Sequence, residues 1–98
     1  VAHFPSPDTV VSLGDEGSLP CVIEVMLHAI GDYFDNMQKV MIDCRFTEED
    51  AQAVRKIQAV AGLEETGGVD ADTWETLVET YAHVNRPLYE PGQTPNLP

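Results

Sequence analysis

The residues best suited to chemistry are few and scattered. Glu48-Glu49 and Glu64-Glu65 are paired carboxylates, the raw material of glycoside hydrolysis. That reaction needs one carboxyl held in an apolar pocket, and both pairs fall at turns expected to be exposed. Asp70-Ala71-Asp72, with Glu64-Glu65 nearby, carries enough charge for calcium. The ordered alternation of an EF-hand loop is missing, and helix capping explains these acids more simply. His3, His28 and His83 have no i, i+4 relation, and none adjoins Cys21 or Cys44. No metal site is expected from them. There is no Gly-x-Ser-x-Gly elbow and no phosphate loop. No catalytic residue and no cofactor is expected, and the chain reads as a non-enzyme.

Four residues remain as candidates for ligand contact: Asp43, Arg45, Phe46 and Gln58. The first three share a loop, where function concentrates. Asp43 could accept from sugar or amine groups, Arg45 could hold a carboxylate, and Phe46 could form part of a platform. The competing roles are a turn cap, a solvated charge and a core staple. Gln58 could reach an amide ligand, although an internal hydrogen bond near the loop is the stronger reading. Trp74 could stack on a sugar, but its helical spacing places it on an inward stripe.

Something must position these groups. The chain has 98 residues, enough for one small domain. Seventeen acidic against five basic residues leave a formal charge of -12, which excludes nucleic acid as a partner. It also disfavours anionic lipid, and an acidic surface would suit a basic protein partner. No apolar run approaches the ~18–20 residues of a membrane span, so no membrane insertion is expected. Val1-Ala2-His3-Phe4-Pro5 lacks the basic start and apolar stretch of a signal peptide. Cys21 and Cys44 could bridge or stay as buried thiols, and the default is two thiols packed as small hydrophobes.

Proline divides the chain. Pro5-Ser6-Pro7 marks an extended arm over residues 1–12, and four of the seven prolines lie in a linker over residues 85–98. The compact part is residues 13–84. A first helix is expected over about Leu19 to Phe34. Its apolar residues Leu19, Val22, Ile23, Met26, Leu27, Ile30 and Phe34 trace one face, with Ser18 as N-cap and Pro20 in the first turn. Val40-Met41-Ile42 could form a short extended segment in the connection that follows.

A second helix is expected over Glu48 to Ala61. Thr47 and Asp50 form its capping box, Phe46 its staple, and Gly62 its left-handed cap, with Val54, Ile57 and Ala61 inward. A third is expected over Ala71 to Val84, with Asp70 as cap and Trp74, Leu77, Val78, Tyr81 and Val84 on one face. Three such helices can bury their stripes only against one another. The expected fold is all-α, a small three-helix bundle with extended, Pro-rich termini.

The order of turns and helices resembles the peptidoglycan-binding-domain-like family over about residues 13 to 81. The matching elements begin with the turn Leu13-Gly14-Asp15-Glu16-Gly17 and then Ile23-Glu24 with Leu27, Glu24 standing where the family carries Gln. Next come Ile42-Asp43-Cys44-Arg45-Phe46-Thr47 and Ala53-Val54-Arg55-Lys56-Ile57-Gln58. Gly62-Leu63, Gly67-Gly68-Val69, Asp70, Thr73-Trp74 and Leu77 complete the set. Cys44 and Thr47 replace family glycines, and a left-handed backbone at either would be strained. Thr47 also has a simple reading as a cap.

The resemblance implies a non-catalytic module that tethers a larger protein, or a tandem array, to the cell wall. Its implied partner is peptidoglycan or a muropeptide, and its implied location is extracellular or in the cell envelope, in a bacterial or phage protein. Residues 89–95 are similar to the linkers that join tandem copies. An acidic protein-interaction or assembly module on the same fold is the alternative.

Overall fold

The computed structural model describes residues 8–34 and 36–84. The linker expected over 85–98, and residues 1–7 of the expected arm, lie outside the described residues. Three helices carry the fold: α1 (Ser18–Tyr33), α2 (Glu48–Ala61) and α3 (Ala71–Val84). Among the described residues there is no strand. Two isolated antiparallel bridges occur instead, Val11 with Val69 and Glu16 with Arg45. The all-α three-helix bundle expected from the periodicity is the fold observed.

The α2 and α3 termini follow local chemistry. Thr47 Oγ1 accepts from the Asp50 N–H at 3.4 Å, and Asp50 Oδ2 accepts from the Thr47 N–H at 2.9 Å. This capping box satisfies two amides that would otherwise lack partners. Gly62 closes α2 in the left-handed region, with φ 76°. In α3, Asp70 Oδ1 accepts from the Thr73 N–H at 2.9 Å. Ala61, expected inward, is exposed, because it lies past the last buried residue of α2, Gln58, where the chain turns into its cap.

The start of α1 differs from expectation. Gly17 occupies the cap position and Ser18 is the first helical residue, with no side-chain cap bond. The Gly17 N–H donates instead to the Cys44 carbonyl at 3.1 Å. A long-range contact with the connecting loop therefore decides where this helix begins. No strand forms at residues 40–42. Val40 is buried with its carbonyl against His28 Nδ1 at 2.9 Å, while Met41 and Ile42 point to solvent.

The core gathers Ile23, Leu27 and Ile30 from α1, Val54 and Ile57 from α2, and Trp74 and Leu77 from α3. Phe46, Val40, Val69 and Val11 close it from the connections. Each such side chain contributes ~1.5–3 kcal/mol of burial. Trp74 lies in this core, as its spacing required. Val69 and Val11 exchange two backbone hydrogen bonds at 2.8 and 2.9 Å, which ties the entry segment to the start of α3.

Gly31 looks in sequence like a weak point near the end of α1. The structure gives it a packing role. A Cβ there would stand 2.5 Å from the Gln38 carbonyl oxygen and 2.8 Å from Lys39 Cα. The returning loop crosses α1 at this bare position. Gly31→Ala gains helix propensity worth ~1 kcal/mol but forces backbone apart, at a cost of ~1–3 kcal/mol. The expected result is a net loss of stability in urea melts, opposite in sign to the usual helical glycine-to-alanine change.

Candidate ligand groove and its buried carboxyl cluster

The candidate site is built where residues 13–17 meet residues 43–47. The Gly14 N–H donates to the Phe46 carbonyl at 2.9 Å, and the Phe46 N–H donates to the Asp15 carbonyl at 2.8 Å. With the Gly17–Cys44 bond, these lock the two segments side by side. They enclose an open groove of about 340 Å³, lined by Leu13, Gly14, Glu16, Arg45, Phe46 and Thr47. Arg45 Nε lies 3.8 Å from Glu16 Oε1, and both side chains are largely exposed. A pair this open and this long is weak.

The loop is held from behind by a residue that sequence reasoning did not single out for a site. Glu24 of α1 is fully buried. Its Oε1 accepts from the Asp43 N–H at 3.0 Å and from the Cys44 N–H at 2.6 Å. Asp43 Oδ1 in turn accepts from the Arg45 N–H at 3.1 Å. Asp50, buried in the first turn of α2, completes a cluster in which one carboxylate oxygen each of Glu24, Asp43 and Asp50 lies within 4.8 Å of the others. Glu24 Oε2 and Asp50 Oδ1 are buried with no hydrogen-bond partner. The only sequence signal was Glu24 standing at a family Gln position on an otherwise apolar face.

Burial pushes the Glu24 carboxyl up to about 8, and its contacts with the Asp50 and Asp43 carboxyls add to the rise. The backbone N–H groups of Cys44 and Asp43 pull it part of the way back. Asp43 is held below the usual carboxylate range, first by its contact with Glu24 and then by the Arg45 N–H. Asp70 is lowered by the Thr73 backbone N–H and hydroxyl. Glu24 therefore keeps its proton near neutrality.

Cys21 and Cys44 form a disulfide, so the expectation of two free thiols is corrected. The reason is positional. The Gly17 and Glu24 bonds to the Cys44 backbone bring the loop onto the first turns of α1, and the two Cα atoms come within 4.0 Å. Cys44 has φ 62°, the left-handed backbone for which glycine is better suited. Thr47 has φ -97° and is unstrained. Of the two glycine replacements, only Cys44 carries strain, and it also carries the cross-link.

The four candidate residues separate. Asp43 and Arg45 are exposed on the loop. Phe46 lines the groove, but it is 1% exposed and belongs to the core. Gln58 is equally buried. Its Nε2 donates toward Thr66 Oγ1, the Gly68 carbonyl and Thr73 Oγ1 at 3.0–3.1 Å, and its Oε1 accepts from the Gly67 N–H at 3.0 Å. Both ends of this amide are used internally. Gln58 latches the turn between α2 and α3, away from the groove.

The described residues form an all-α unit with a groove walled by a pinned loop. Residues 20–77 match the family model described as a putative peptidoglycan binding domain, and the chain belongs to that family. Comparison with curated proteins and with solved structures gives no significant match. Among the described residues no helix is long and apolar enough to cross a membrane.

Two outcomes follow from this geometry. Below about pH 4.5 Glu24 is protonated folded or unfolded; from there to about 8 only the folded chain keeps the proton. Stability contributed by Glu24 is therefore full at low pH and falls as pH rises to about 8, with a slope of up to ~1.4 kcal/mol per pH unit. Asp43 and Asp70 act oppositely, losing stability as pH falls below 3.8. Urea melts across pH should show the alkaline loss, and Glu24→Gln should flatten it.

The second outcome concerns the bridge. The cysteines are 23 residues apart, so reduction should cost about 3 kcal/mol. In a Cys21→Ser background, Cys44→Gly should be more stable than Cys44→Ser by ~1 kcal/mol, because it relieves the left-handed strain.

Proposed function

We propose that this chain is a non-catalytic module that tethers a larger protein, or a tandem array, to peptidoglycan outside the cell or in its envelope. The observation that carries the reading is the groove at the loop of a peptidoglycan-binding-domain family member, with an exposed Arg45–Glu16 pair on its wall. Stem peptides of peptidoglycan carry carboxylates, and Lys or diaminopimelate adds an ammonium. A ligand carboxylate can take both forks of the Arg45 guanidinium in place of the long contact to Glu16. Glu16 is then released to meet the ammonium. The apolar side of Leu13 offers contact for the aliphatic stem. Asp43 fixes the backbone of Arg45 and so sets where the guanidinium starts.

The absence of catalysis in this reading rests on access. Glu24 has the raised pKa of a general acid, but it is sealed from solvent beneath the loop. Glu48-Glu49 and Glu64-Glu65 are exposed, which leaves neither pair the apolar setting a glycosidase acid requires. A shallow groove of this kind binds weakly, and tandem copies raise the effective affinity.

The test is sedimentation with purified, teichoic-acid-free peptidoglycan at moderate salt, beside a charge-matched control protein. Enrichment is expected, and Arg45→Ala should weaken it about ten- to a hundredfold without changing the melt, since charge-assisted hydrogen bonds contribute ~1.5–3 kcal/mol. No enrichment over the control would end the wall-binding reading. Salt-sensitive capture of a basic protein, with no wall binding, would favour the acidic interaction module instead.

A further inference from the structure

The three-carboxylate cluster has more converging negative oxygen than the fold requires. Glu24 Oε1 is committed to two backbone N–H groups, Asp50 Oδ2 to the Thr47 N–H, and Asp43 Oδ1 to the Arg45 N–H. One oxygen from each of the three residues lies within 4.8 Å of the others, and Glu24 and Asp50 each have a second oxygen outside those backbone bonds. Both second oxygens are buried and unpartnered. A single proton can bridge only two of these three carboxyls.

We infer that Glu24, Asp43 and Asp50 form a binding site for one divalent cation of the calcium class. The spacing fits. Two oxygens across one calcium ion, each at ~2.3–2.6 Å, stand about 5 Å apart, and the three oxygens here lie within 4.8 Å of one another. The donor set is oxygen only, which suits a hard cation rather than zinc or copper. Asp43 is exposed, so the ion enters from the loop side and keeps waters there for its remaining positions. A chain of net charge -12 attracts cations from solution.

The three ligands come from α1, the loop and α2. The ion would fasten all three elements directly behind the groove. This site is separate from the wall ligand: it is read with calcium alone, so its failure leaves the peptidoglycan reading standing, and the reverse.

Titration calorimetry and thermal melts of the intact, oxidised chain test the site. Calcium chloride is compared with sodium chloride at equal ionic strength, with magnesium as a second arm. The expected result is one calcium per chain, a Kd at or below about 1 mM, and weaker magnesium binding, since magnesium sheds its waters reluctantly. Glu24→Gln keeps the side-chain shape and its oxygen for the loop amides, and Asp43→Asn alters an exposed residue, so both variants are expected to fold. Each should weaken calcium at least tenfold. A melt that responds equally to calcium and to matched sodium chloride, or variants that bind calcium as tightly as the parent, would overturn the assignment and leave the cluster a proton-sharing pair.

Discussion

The structure depends on one buried acceptor. Glu24 projects from an otherwise apolar face of α1 and takes the backbone N–H groups of two successive loop residues, Asp43 and Cys44. Each of these part-buried bonds to the two loop amides contributes on the order of 0.5–1.5 kcal/mol. Their capture sets the path of the whole connection from α1 to α2. It brings Cys44 to Cys21, Arg45 to Glu16, and Asp43 and Asp50 to a common point. Burying an ionised carboxylate so completely is expensive, and the raised pKa of Glu24 is how the folded chain limits that cost near neutral pH.

A second buried side chain does the same work at the other end. Gln58 of α2 captures the turn between α2 and α3 through Gly67, Gly68, Thr66 and Thr73. The two connections are thus each held by one polar residue reaching from a helix into the backbone of a loop. For a domain with a small core this matters, because apolar burial alone leaves little margin and gives no direction to a loop. The neutral amide manages its task without a charge. Glu24 adds a titratable proton, and with it a dependence on pH that an amide would not bring.

The loop also concentrates strain and cross-linking in one residue. Cys44 adopts a left-handed backbone and forms the disulfide to α1. A free chain would populate that conformation poorly. The hydrogen bonds to Gly17 and Glu24 and the covalent bond together over-determine it. The groove wall is held by these bonds, and Arg45 stands on that backbone with its side chain largely exposed. In the proposed wall-binding role, a platform already held in place avoids the cost of ordering on binding.

Three helices, the capping box at Thr47 and Asp50, the Gly62 cap and the inward Trp74 were all legible from the chain, because each rests on contacts within about a turn of helix or on a simple period. The sequence also pointed to residues 43–47 as the loop of interest. It did not determine the start of α1, where Gly17 is fixed by Cys44 far along the chain. Nor did it determine the bridge or the meeting of Glu24 with Asp43 and Asp50, whereas an internal hydrogen bond was already the stronger reading of Gln58. Those depend on how a flexible connection lies across α1, and no local propensity encodes that distance. Tertiary structure alone decided that Glu24, an acid on an apolar face, is the residue that builds the site.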